Sequence, residues 1–468
     1  MLFLSAGFLF CFLPLFLLML LIAPRRWKRA ALLLGSVAFY VLANLHNPFS
    51  ILILWATVLF HYFAALLLQR RRDRVLLFLF VAVDVMALLS LRLLCNQMNE
   101  RFYFTFPIGA SLYLLMGISY LVDHYRDPSL HAEDLTQTAL YLTFFPVILA
   151  GPLICFRDFL DATKHLSFRM DHFARGARWL TIGLVKGMVA AVLTEAYDSI
   201  LQSGNLQVNI GIGSLSLIMM YLIVFFAFSG YSDMGVGICV MIGMPIYRDY
   251  KNPLAATSPI GYLRGFFISF FRFWETYVLE PLSGLSWGSQ GMRRLLGMNL
   301  YVIVLTLWFR TDVDAILIAL PLLLVLNLEQ IPAVGQFLGR RVGKVVGWLI
   351  TLPVMIVYWS MQKLGSYAQL GEYLKNLSEV SGSYQSMYTY AASIGFDFVI
   401  VAVVALVILL PLSHRGITPG DELVLKRGQA LLDAVTAMLL IALLVLSLVY
   451  FMPQFPQYAV SPYAYFVI

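Results

Sequence analysis

Seven histidines occur in the 468 residues, and none lies between His172 and His414. A neutral imidazole is the usual side chain for taking a proton from an alcohol near neutral pH, so chemistry located in that interval has to proceed without one. Two ionisable residues stand inside apolar runs: His61, in Val58–Leu59–Phe60–His61–Tyr62, and Asp84 in the following run. Intramembrane ionisable groups are candidates for function, and the alternative is that these two pair with each other and hold two helices together. Asp233 and Ser232 form a third polar site, in Ser229–Gly230–Tyr231–Ser232–Asp233–Met234. A buried aspartate requires a cationic or hydroxyl partner, for which Arg264 and Arg272 are the candidates. Asp233 is read either as lining a passage or as an interhelical lock. Glu329, at the end of a leucine-rich run, is read as interfacial, and His124, His131, His165 and His172 as solvated in cytoplasmic loops.

The elements that must position these residues are helices in a bilayer. The chain is 61% hydrophobic and 12% charged, against about 25% charged in a soluble domain. Apolar runs of about 18 or more residues, the length that spans a hydrocarbon core, recur from end to end. They are continuous and do not alternate, which excludes a transmembrane β-barrel. The expected fold is all-α, a polytopic membrane protein in a single domain over residues 1–468, since neither polar stretch, 156–178 or 363–394, is long enough to bury a core of its own. Cys11, Cys95, Cys155 and Cys239 are scattered, with no metal spacing and no disulfide framework. The first run, residues 2–23, lacks a basic n-region and a small-residue cleavage site and is read as a retained span.

The net charge of +7 resides in basic clusters between apolar runs, which suits anionic lipid at a cytoplasmic surface and not nucleic acid. Arg25, Arg26, Lys28 and Arg29 follow the first span; Arg70, Arg71, Arg72 and Arg74 follow the third. With both clusters inside, the N-terminus faces outward, as do the turn at His46–Asn47–Pro48 and the Cys95–Arg101 loop. Arg248 and Lys251, Arg293 and Arg294, Arg340, Arg341 and Lys344, and Lys426 and Arg427 then fall inside. The alternation gives roughly eleven to thirteen crossings with the C-terminus outside. Two runs fit badly as simple spans: 136–155, with Pro146, Gly151 and Pro152, and 258–285, with Pro259, Gly261, Gly265 and several charges. Both are expected to be re-entrant, which places irregular backbone inside protein or beside a central chamber. The other reading is a pair of proline-kinked crossing helices.

Three segments carry a resemblance. The first is Phe144–Phe145–Pro146 through Ala150–Gly151–Pro152, followed by Phe156, Asp158 and Phe159. The second is Phe228–Ser229–Gly230–Tyr231–Ser232–Asp233–Met234–Gly235, with Gly237 and Asn252–Pro253 beyond it. The third is Tyr262–Leu263–Arg264, Ile268–Ser269, Tyr277 and Pro281–Leu282. Together with Ile118–Asp123 and Gly183–Lys186 they resemble the membrane-bound O-acyltransferase (MBOAT) family, in its bacterial alginate O-acetylase and teichoic-acid D-alanylation branch, over about residues 100–330. The resemblance implies a tunnel, an acyl donor arriving from the cytoplasmic side and a histidine that activates the acceptor hydroxyl. The family's W-H-I-S-L string falls on Phe266–Phe267–Ile268–Ser269–Phe270, so Phe267 stands where one histidine belongs. Its L-W-H-G string falls on Leu307–Trp308–Phe309–Arg310, so Phe309 replaces the other. A family Arg–Asp pair becomes Glu275–Thr276, and Ala227 stands where an acid is usual. Ser232, Asp233, Arg264, Ser269, Tyr277 and Trp308 are the implied tunnel-lining residues.

Phenylalanine has no donor, acceptor or titratable group, and removing a general base costs on the order of 10²–10⁴ in rate. The preferred reading is a catalytically degenerate MBOAT-type subunit in the O-acylation, in particular O-acetylation, of a cell-surface or secreted polysaccharide. It would sit in the bacterial cytoplasmic membrane among lipids and a protein partner, with no cofactor. The alternatives are an active O-acyltransferase that uses acetyl-CoA or another donor with His61 or Asp233 as base, and a conduit for a lipid-linked or small substrate.

Overall fold

In a computed structural model of the chain the described residues are those between 3 and 362, apart from 4, 6, 46, 99–105, 131–133, 165, 167–168, 203–209, 245, 252, 287 and 311–313, together with Lys375. His46, residues 99–101, His131, His165, Asn252, His414, Lys426, Arg427, the polar stretch 363–394 except Lys375, and the side expected for the C-terminus therefore lie outside the described residues. Among the described residues every regular element is helical, and extended pairing is limited to one isolated bridge, Tyr250 to Phe266.

In chain order the α-helices are α1 (Leu13–Ile22), α2 (Lys28–Ala43), α3 (Pro48–Arg71), α4 (Arg74–Met98), α5 (Ala110–Arg126), α6 (Leu135–Thr143), α7 (Phe145–Ile148), α8 (Phe156–Lys164), α9 (Met170–Gln202), α10 (Ile210–Met241), α11 (Pro259–Gly265), α12 (Ile268–Trp274), α13 (Glu280–Ser283), α14 (Gln290–Phe309), α15 (Asp314–Glu329), α16 (Pro332–Gly339) and α17 (Arg341–Met361). Six of them, α3, α4, α9, α10, α14 and α17, are long and apolar enough to cross a bilayer; a seventh crossing arises if α15 and α16, bent by 84°, count as one span. The protein is thus an all-α polytopic membrane protein. The eleven to thirteen crossings counted from hydropathy are not reached among the described residues. Several apolar runs are shorter than a full span, as in α1, α2 and α5, or are interrupted by backbone breaks.

The core is built on α9 and α10, two helices of 33 and 32 residues that reach about 50 Å and lie against each other with glycine on both sides. A Cβ added to Gly183 would stand 2.5 Å from the Gly230 carbonyl oxygen, and one added to Gly230 would stand 2.8 Å from that of Gly183. Small residues let two backbones approach this closely in a bilayer, where packing replaces water exclusion as the driving force. By contrast α4 is the least buried of the spans.

Both runs expected to be re-entrant are broken. In the first, α6 ends at Thr143, Phe144 leaves helical geometry (ψ 97°), and Pro146 opens the four-residue α7. Proline lacks the N–H and crowds the preceding turn, which favours the break here. Gly235 of α10 packs directly on the Pro146 carbonyl. In the second run α11 and α12 have seven residues each, about 10 Å apiece, and wider π-type turns continue over Glu275–Leu279. Neither piece can span a hydrocarbon core of about 30 Å.

Candidate functional site

The second broken run holds the residues singled out by the sequence. Between α11 and α12, Phe267 adopts φ 57° and ψ 56°, one of two non-glycine residues with positive φ among the described residues. A bulky side chain is rarely found in this left-handed region, which costs on the order of 1–3 kcal/mol, while Asn, Asp and His are several-fold enriched there. The backbone around Phe267 is stitched on both sides. Lys251 N–H donates to Gly265 O (2.9 Å) and Ile268 N–H donates to Asp249 O (2.9 Å). Ser269 N–H donates to Asp249 Oδ1 (2.7 Å), and the Ser269 hydroxyl accepts Leu153 N–H (2.8 Å), which joins the two broken runs. On α15, Glu329 Oε2 accepts Ile260 N–H (2.9 Å) and satisfies an otherwise orphan donor at the start of α11.

The turn carries the Phe267 ring into an aromatic cluster. Its centroid lies 6.1 Å from that of Phe309 at the end of α14, 5.4 Å from Phe228 of α10, 5.4 Å from Tyr250 and 6.0 Å from Trp359 of α17. Phe309 in turn meets Phe228 at 5.8 Å and Trp359 at 5.2 Å, and Trp359 stacks on Phe266 at 4.6 Å. Two positions 42 residues apart, selected independently from two motifs, thus converge on one point between α10, α14 and α17. Trp308 turns away to pack edge-on against Phe270 at 5.2 Å.

Asp233 is buried beside this cluster's helix, and its partner is neither Arg264 nor Arg272. Lys186 Nζ of α9 donates directly to Asp233 Oδ2, with both side chains at most 5% exposed. Arg264 is half exposed and pairs with Glu275 (3.4 Å); Arg272 pairs with Asp158 (3.5 Å) and lies over the Tyr247 ring. The expectation failed because it favoured residues near in sequence. The signal that would have found Lys186 is a lysine inside an apolar run, which needs a counter-ion as much as the aspartate does. The hydroxyls of Ser229 and Ser232 are buried without a hydrogen-bond partner.

Tyr277 rides on the π-type turns, and its hydroxyl donates to Asp123 Oδ2 (3.0 Å) at the end of α5. Arg126 donates to Thr276 O (3.3 and 3.2 Å) and lies over the Tyr277 ring. Arg157 approaches Asp123 at 3.9 Å and Asp127 at 3.2 Å. The Ser129 hydroxyl and N–H hold the Asp127 carboxyl below the usual carboxylate range. This rim therefore neutralises its own charges and ties the second broken run to α5 and α8.

The remaining histidines lie elsewhere. His61 Nδ1–H donates to Thr57 O (2.8 Å), and Nε2 faces Asp84 Oδ2 at 3.1 Å. The ring is fully buried and presses on Gly117 of α5. One ring nitrogen meets a carbonyl and the other a carboxylate, so both are engaged inside the protein and neither faces an alcohol. His124 is not solvated, as the sequence suggested, but 1% exposed in the last turn of α5, with ring centroids 4.1 Å from Tyr120 and 4.9 Å from Phe156. Substituting His61 by leucine strands the Asp84 carboxylate on the least buried span. Amide exchange in the middle of α4 is expected to rise at least about tenfold while α9 and α10 stay protected; unchanged exchange in α4 would remove the pair's anchoring role.

Residues 9–297 match the family model described as MBOAT, membrane-bound O-acyltransferase family. Among curated proteins the chain is similar to the probable alginate O-acetylase AlgI of Pseudomonas fluorescens, 28% identical over 368 residues that cover 77% of this chain and 72% of that protein. It is also similar to the protein of the same description from Azotobacter vinelandii, 30% identical over 306 residues, 61% of this chain and 60% of that one. The peptidoglycan O-acetyltransferase of Helicobacter pylori is 23% identical over 310 residues, 56% of each chain. The matched family region contains Phe267 and ends before Phe309.

Proposed function

Because the chain belongs to the membrane-bound O-acyltransferase family, we propose that it serves the O-acetylation of a cell-surface or secreted polysaccharide as a catalytically degenerate subunit. The observation that carries this reading is the packing of Phe267 against Phe309, 6.1 Å apart on elements that arrive from different parts of the chain. The two positions read from the resemblance as those of the family histidines meet at one point, and phenylalanine side chains have nothing to deprotonate an alcohol with. Neither stand-in is favoured by its surroundings: the ring nitrogens of His61 are both engaged, and Asp233 is neutralised by Lys186.

In this reading the frame is kept for assembly. The chain holds an active transferase or a polymer synthase in a bacterial cytoplasmic membrane, with its N-terminus outside and its basic loops against anionic lipid. The polysaccharide context comes from the similarity to alginate and peptidoglycan O-acetylases. Membranes that contain this chain alone are expected to transfer no labelled acetyl group from acetyl-CoA to polysaccharide or water-soluble acceptors, while affinity purification from native membranes brings down a transferase or synthase. Acetyl transfer by the chain alone that survives substitution of His61 would falsify the degenerate-subunit reading.

A further inference from the structure

We infer that Asp249 is the positioning residue that holds the side chain of residue 267 at the centre of the molecule. The geometry is specific. Asp249 accepts from the two residues that follow the left-handed position, from Ile268 N–H at its carbonyl oxygen (2.9 Å) and from Ser269 N–H at Oδ1 (2.7 Å). The neighbouring Lys251 N–H holds Gly265 on the other side, and Tyr250 bridges Phe266. A phenylalanine does not choose positive φ by itself, so the conformation is imposed by these neighbours. Asp249 is 3% exposed, and its carboxylate meets a first-turn N–H that no residue within α12 can satisfy. A charge-assisted bond to a buried backbone donor is among the stronger contacts available to it.

Several observations separate a positioning role from a general contribution to packing. The aromatic cluster itself supplies contacts from α10, α14 and α17, but rings that touch do not set a backbone dihedral. The Ser269 hydroxyl accepts Leu153 N–H and also hydrogen-bonds the Asp249 carboxylate, so Asp249 holds the turn through both the N–H and the hydroxyl of Ser269 and ties it to the first broken run. Nothing in this bonding pattern involves the phenyl ring, so the same bracket would deliver any side chain at 267 to the same place.

The test uses the full chain in detergent or nanodiscs with Cys11, Cys95, Cys155 and Cys239 replaced by serine and with Phe267→Cys and Phe309→Cys. A short bis-methanethiosulfonate reagent reports whether the two introduced thiols face each other, and a melting curve is recorded on each sample. The parent is expected to crosslink within the chain. Asp249→Ala is expected to lower the crosslinked fraction at least about tenfold, the factor carried by one charge-assisted hydrogen bond, and Asp249→Asn, which keeps the acceptor oxygen, to crosslink like the parent. Ser269→Ala keeps the N–H that Asp249 Oδ1 accepts and removes only the hydroxyl's contact with the same carboxylate, so it is expected to crosslink more than Asp249→Ala does. Should the alanine variant not accumulate, Asp249→Ser, whose side chain falls short of Ser269 N–H, is read by the same criterion. Crosslinking by Asp249→Ala at the parent level, or equal loss in Asp249→Asn and Asp249→Ala, overturns the assignment. Acetyl transfer plays no part in the measurement, so it stands or falls apart from the function proposed above.

Discussion

Lys186→Ala costs the folded protein about 3–5 kcal/mol, the loss that follows when one member of a buried ion pair is removed. The Asp233 carboxylate is left in the α9–α10 interface without its ion-pair partner; Arg248 acts on it only through space, and Arg264 and Arg272 are engaged at the rim. An uncompensated charge in a low-dielectric interior is far more expensive than an absent pair. The double variant Lys186→Met with Asp233→Leu is therefore expected to recover most of the loss, because two apolar side chains of similar bulk replace two mutually neutralised ions. Thermal or denaturant unfolding in a fixed detergent, for the wild type, both single variants and the double, closes the cycle. A double variant as unstable as the sum of the singles would show that the pair is not the lock that the geometry describes.

Gly183→Leu is expected to abolish folded protein. A side chain at 183 would meet Met234 Cγ at 2.6 Å and two main-chain atoms of α10, the Gly230 carbonyl oxygen at 2.5 Å and the Met234 nitrogen at 2.7 Å, and backbone cannot rotate aside as a side chain can. Ordinary overpacking costs about 1–3 kcal/mol; here two helices of about 50 Å must separate along their length. The separation would also draw Lys186, three residues further on, away from Asp233. Size-exclusion of detergent-solubilised protein measures the outcome. A monodisperse peak at wild-type yield would mean that the two helices are not closely apposed in the membrane.

The membrane fold was legible in the sequence because span length and charge placement are set by the thickness and surface potential of the bilayer. The break near Pro146 was legible through proline's missing donor; in the second run Pro259 only opens α11, and the break itself, the left-handed turn at 267, was not legible, since phenylalanine is the wrong residue from which to infer it. Convergence of Phe267 with Phe309 followed only from the resemblance to a family, as no spacing rule links positions on two separate elements. The Lys186–Asp233 pair was missed because its members, 47 residues apart, meet only through the α9–α10 register. His61 and Asp84 could be singled out as ionisable groups in apolar runs and read as a pair, but the bond from His61 to the Thr57 carbonyl is a matter of coordinates.

A bracket that grips only the backbone beside position 267 makes that position indifferent to its occupant. Imidazole suits left-handed geometry better than phenyl does, so Phe267→His exchanges one ring for another without asking the scaffold to rebuild. Architecture and reagent are then separable: a bay shaped by its neighbours keeps its form whichever ring stands in it.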